Sequence, residues 1–153
     1  MKNNELIKIK AFGSRRKAEI VLLGDSIDRA SELDENGEYK IVDLLPEEEA
    51  LVKWIQTVDF TELAENITRY INYNLSMIEA DNITKSELKK EGMFEPAEIL
   101  VNVEEDSEDD DTAEIALFAE CELLEDGILI GFKDKEYFGI SEYTETLDYF
   151  DFQ

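Results

Sequence analysis

IALFAECELLEDGILIGFKDKEYFGI, residues 115–140, is the stretch that decides the fold. Ile115, Leu117, Ala119, Cys121 and Leu123 alternate with Ala116, Phe118, Glu120, Glu122 and Leu124, the period of two expected of a strand with one buried side. Asp126-Gly127 predicts a turn, 128–132 a second strand, 133–135 another turn and 137–140 a third strand. Upstream, beyond Pro96, Ile99, Val101 and Val103 alternate in the same way. The second half of the chain therefore reads as a β-meander of four strands.

Working outward, Ile7 and Ile9 alternate with Lys8 and Lys10, and 18–23 (AEIVLL) is apolar enough for a buried strand. Asn36-Gly37 predicts a hairpin turn, with a third strand over 38–44. The period changes at Pro46. Pro46 suits the first position of a helix, and Glu47, Glu48 and Glu49 place acids at the positive end of its dipole. Leu51, Trp54, Ile55 and Val58 then fall on one stripe. Asp59 with Glu62 has capping-box spacing, and Leu63, Ile67, Tyr70, Ile71, Leu75 and Ile78 share a second stripe. Helical pattern thus covers 46–58 and 60–79, with two helices and one bent helix both compatible with it. A short helix or turn follows over 82–92 and ends at Gly92. Strands, then helices, then strands predict a single α+β domain over residues 1–153. Its mostly antiparallel sheet should carry two to three helices packed on one face and end in the meander.

A chain of 153 residues that is 43% apolar, with eight Phe and six Tyr, has the material for one core. The single Cys121 has no partner for an internal disulfide, which suits a reducing, cytoplasmic setting. No signal-peptide run opens the chain, and no stretch has the length of apolar residues that a membrane span needs. Histidine is absent, which removes Ser-His and Cys-His nucleophile pairs and most zinc chemistry. The glycines form neither GxGxxG nor a P-loop, and Cys121 falls on the apolar side of its strand. The reading is of a non-enzyme with no cofactor and no bound metal. An enzyme using paired carboxylates, such as a hydrolase, is the second alternative, since two acids at suitable separation suffice for that chemistry.

Charge carries the functional signal. The chain holds 39 acids and 15 bases, a net charge of −24. Residues 1–78 contain 15 acids and 10 bases, and residues 79–153 contain 24 acids and 5 bases, so the acidity belongs to the second half. Such a field repels phosphate, which argues against direct binding of nucleic acid or an anionic membrane, and attracts basic proteins. The densest run is EEDSEDDD, residues 104–111, with seven acids in eight positions: Glu104, Glu105, Asp106, Glu108, Asp109, Asp110 and Asp111. It lacks the central glycine and flanking helices of an EF-hand loop. It is expected on the connection between two antiparallel strands. There it is either a solvated loop or part of a partner-binding face that also holds Glu114, Phe118, Glu120, Glu122, Glu125 and Asp126.

Residues 115–140 also resemble the end of small acidic bacterial domains of unknown function that are encoded beside polymorphic toxins and thought to serve as immunity proteins. In those domains a strand leads to an acidic corner, a glycine, an apolar strand and a last short strand carrying a glycine. Glu120, Glu122, Glu125, Asp126, Gly127, Gly131 and Gly139 occupy that pattern here. The Pro46-led helix followed by a longer helix is similar as well. The resemblance implies a cytoplasmic protein that neutralises a basic toxin by occluding it. The first alternative is a nucleic-acid mimic that inhibits a DNA- or RNA-binding protein. Nothing in the sequence indicates a homo-oligomer.

Overall fold

The computed structural model describes residues 1–13, 16–23, 35–37, 41–102, 112–144, 147, 150 and 152–153. Six strands lie in chain order in one sheet: β1 (Leu6–Lys8), β2 (Lys17–Leu22), β3 (Glu95–Val101), β4 (Ile115–Cys121), β5 (Leu124–Lys133) and β6 (Glu136–Ser141). All neighbours are antiparallel except β2 and β3, which run parallel with Ile20 opposite Ile99. A parallel pair cannot be joined by a tight turn and needs a long crossover. Here the crossover holds two α-helices, α1 (Pro46–Ile55) and α2 (Ala64–Met77), with 3₁₀ helices at Phe60–Leu63 and Lys85–Lys89. The α+β class, with a mostly antiparallel sheet, two helices and a C-terminal meander, is the one expected from the sequence.

The helices are separate. After α1 the chain becomes extended at Asp59 (φ −95°), whose carboxylate accepts a hydrogen bond from the Thr61 N–H at 3.0 Å. The Phe60 N–H donates to the Lys10 carbonyl at 2.8 Å, and the Phe60 side chain is fully buried. This tether to the N-terminal segment breaks the helix, and α2 begins only after the 3₁₀ turn. Leu51, Val52 and Ile55 of α1 and Ile67, Tyr70, Ile71 and Leu75 of α2 then bury against Ile20, Ile99, Leu117, Ile128 and Ile130 of the sheet. Each such aliphatic side chain taken from water stabilises the fold by about 1.5–3 kcal/mol. Phe132 joins this core and meets Trp54 and Phe60 edge-on, with centroids at 5.3 and 5.7 Å.

The second sheet face carries a smaller core of Leu23, Leu100, Ala113, Ala116, Leu129, Leu147 and Phe150. Gly131 and Gly139 stand opposite each other on β5 and β6, and the Phe150 ring lies over them. A Cβ on Gly131 would come within 2.6 Å of that ring, so the seat requires glycine. Phe150 thereby covers the β5–β6 part of this face, while Leu100 of β3 and Ala116 of β4 are fully buried within the same smaller core.

Three local expectations are corrected. Within 38–44, residues 38–40 lie outside the described set, and 41–44 form no strand. Asp43 makes one bridge to Lys2, and the Leu44 N–H donates to the Met1 carbonyl. The turn expected at Asp126-Gly127 falls instead at Glu122 and Leu123, and β5 begins at Leu124. Ala119 pairs with Ile128 and Cys121 with Leu124, so residues 125–127 form a bulge opposite Glu120, with Gly127 at φ +68°. In consequence Leu123 is an exposed turn residue, and Leu124 packs against the larger core and not beside Phe118.

Candidate functional site

The bulge and the tight turn at the end of the β4–β5 hairpin gather carboxylates. Glu120 ends the exposed side of β4, Glu122 sits in the turn, and Glu125 and Asp126 stand on the bulge; all four are exposed. The turn is tied down because the Glu122 N–H donates to the Gly92 carbonyl at 2.8 Å. Gly92 has φ +86°, a left-handed backbone conformation that favours glycine, and it brings the loop beneath the Glu122 carboxylate.

Strand pairing adds acids from far away in the sequence. Glu95 lies opposite Glu120, Glu98 opposite Phe118, and Glu19 beside Glu98 on the parallel strand. On β2, β3 and β4 these positions alternate with Ile20, Ile99 and Leu117, so Glu19, Glu98 and Glu120 project from the second face. Glu98 is half-buried, and its carboxyl is pushed above the ordinary range by burial first, then by the Glu19 and Glu120 carboxylates. Sequence reasoning missed Glu19, Glu95 and Glu98 because strand pairing, β3 with β4 for Glu95 and Glu98 and β2 with β3 for Glu19, brings them to Glu120. The one signal was that Glu19 and Glu98 each precede a buried isoleucine, Ile20 and Ile99.

A groove of 470 Å³ runs along this corner, walled by Arg16, Glu95, Phe118, Glu120, Glu122 and Glu125. The Arg16 guanidinium pairs with the Glu95 carboxylate at 2.7 Å, and the other Glu95 oxygen accepts the Gly92 N–H at 2.9 Å. Lys8 and Lys17, opposite each other on β1 and β2, border the acids with positive charge. Phe118 is half-buried and meets Tyr143 edge-on at 5.0 Å, which leaves part of its ring at the groove. Cys121 also reaches the groove wall but belongs to the larger core, and burial pushes its thiol up. A thiol so placed is a poor nucleophile at neutral pH.

The remaining sequence-derived residues lie elsewhere. Glu114 precedes β4, about 20 Å from Glu120 at strand spacing, and its carboxylate accepts the Asp134 N–H at 3.1 Å. Glu104, Glu105, Asp106, Glu108, Asp109, Asp110 and Asp111 lie outside the described residues. The strand ends that carry their connection, Val101 and Ile115, are paired at the same end of the sheet as Glu114, away from the groove. Of the acidic surface expected from 104 to 126, the described residues hold the part from Glu114 onward. They form a compact corner at Glu120, Glu122, Glu125 and Asp126, extended by Glu19, Glu95 and Glu98.

Among the described residues no group of three or more His, Cys, Asp or Glu side chains is arranged to hold a metal ion. No described helix is long and apolar enough to cross a membrane. Comparison with protein-family models, curated proteins and solved structures finds no match to the chain.

Proposed function

We propose that the chain is a non-enzymatic, cytoplasmic binding protein that occludes a basic protein partner, in the manner of an immunity protein neutralising a toxin. The observation that carries this reading is the convergence of Glu19, Glu98 and Glu120 on the second face of the sheet, beside a groove walled by further carboxylates and Phe118. Glu98 supports it further. Its carboxyl is raised by burial first and then by the neighbouring Glu19 and Glu120 carboxylates, and a guanidinium or ammonium from a partner would favour its charged form. Phe118 supplies an apolar contact among the charges, the arrangement in which an anchor residue contributes most.

The test is capture from the protein's own cells on immobilised wild-type chain and on a Glu98→Gln, Glu120→Gln, Glu122→Gln variant. A basic protein retained by the wild type at about 0.1 M salt, released near 1 M and not held by the variant is the expected outcome. Retention indifferent to both salt and substitution contradicts the reading. Displacement of the captured protein by duplex DNA would instead favour mimicry of nucleic acid.

A further inference from the structure

A second groove, of 570 Å³, opens on the helix side of the sheet between α2 and β6. Tyr70 and Tyr73 of α2 and Phe152 near the C-terminus form its aromatic wall. The Phe152 ring lies 5.4 Å from Tyr70 and 5.6 Å from Tyr73, centroid to centroid. Phe152 is held there by a two-way backbone bridge to Ile140, at 2.7 and 3.3 Å. Across the groove stand the exposed Glu142 and Thr144, whose hydroxyl is buried without a hydrogen-bond partner among the described residues. The Arg69 guanidinium already lies over the Phe152 ring at 5.5 Å, so a cation–π contact is built into this wall.

We propose that this groove receives an arginine or lysine side chain of a polypeptide partner, with the cationic head between the aromatic wall and the Glu142 carboxylate. Ring faces attract cations electrostatically, and a nearby carboxylate adds to that attraction in a partly desolvated site. The negative field reaches the wall itself. The Tyr70 hydroxyl is pushed up to about 12 by burial first and then by Glu142, with Asp126 adding to it, so it stays neutral and its ring remains a full π-face across the physiological range. A side chain fits the geometry better than a small free ligand. From the groove's Tyr73, the exposed Met77 one turn further along α2 and Ile78 just beyond it form an apolar shelf. That shelf would cover apolar groups flanking the cation.

The inference stands independently of the acidic groove, although the two adjoin: the Tyr143 N–H donates to the Asp126 carbonyl at 3.3 Å, placing Glu142 next to the acidic corner. The test uses the whole, isotopically labelled chain and nuclear magnetic resonance titration. The probes are a capped Gly-Arg-Gly tripeptide, its citrulline counterpart, which keeps the shape and loses the charge, and tetramethylammonium. Saturating shifts at Tyr73, Phe152 and 140–144 with the arginine peptide, and none with citrulline, are expected. Tyr73→Leu, a change at an exposed position that keeps apolar bulk, should weaken binding about fivefold or more, and Glu142→Gln should weaken it with the fold unchanged. Equal shifts with citrulline, or shifts confined to Glu120, Glu122 and Glu125, overturn the proposal. So does saturation by tetramethylammonium alone, which would mark a site for a small quaternary amine.

Discussion

At the scale of single residues, the clearest constraint is the pair Gly131 and Gly139 beneath Phe150. A methyl group at Gly131 has nowhere to go unless the ring moves, and forced overpacking of this kind costs about 1–3 kcal/mol. Gly131→Ala should lower the urea midpoint of unfolding by that amount. The same substitution made on a Phe150→Leu background should cost much less, because the two positions are in contact and their effects do not add. Equal costs on both backgrounds would show that the ring is not seated on the glycine. Glu98 gives a second prediction, whose sign follows from its raised carboxyl. The folded chain binds this proton more tightly than the unfolded chain. The resulting penalty is therefore fully present above the folded value and is relieved as pH falls toward the ordinary 4.5. Glu98→Gln should stabilise the protein at pH 7 and make little difference below pH 4.5, as read by urea unfolding at both. The gain should be modest because the group is half exposed.

At the scale of elements, the bulge on β5 sets the corner's shape. Gly127 combines φ +68° with an imagined Cβ only 2.5 Å from the Phe118 ring. Gly127→Ala should therefore destabilise the fold by about 1–3 kcal/mol and disturb the Phe118–Tyr143 ring contact, visible in near-ultraviolet circular dichroism. An unchanged spectrum and midpoint would mean that the bulge adapts freely. The strands around this element were legible because Ile115, Leu117, Ala119 and Cys121 keep strict alternation, and α1 because Pro46 and three glutamates mark its start. The turn was not. Asp-Gly is a strong turn signal, yet the hairpin closes at Glu122 and Leu123, where the backbone bond to Gly92 holds it. The register was decided by a contact with a residue some thirty positions away, which local pattern cannot contain. The break between α1 and α2 has the same origin, since the Lys10 carbonyl that takes the Phe60 N–H lies far back in the sequence, near the N-terminus.

At the scale of the whole molecule, a net charge of −24 on 153 residues makes the compact state repel itself. Added salt should therefore raise the urea midpoint steadily between about 0.01 and 0.5 M, where the screening length shrinks from roughly 30 Å to a few ångströms. A midpoint that falls or stays flat would show that attractive pairs such as Arg16 with Glu95 outweigh the repulsion. The acidity was plain in the sequence, but its placement was not. Residues 104–111 draw the eye in one dimension, whereas Glu19, Glu98 and Glu120 become neighbours only when β2 pairs with β3 and β3 with β4.

Recognition of a basic partner by that corner is tested most directly by measuring its dissociation constant against salt concentration. The measurement compares the wild type with the Glu98→Gln, Glu120→Gln, Glu122→Gln variant. The wild type should weaken steeply as salt rises, and the variant should bind at least about tenfold more weakly at low salt with a shallower slope. Identical affinities and slopes for the two chains would contradict recognition through this face.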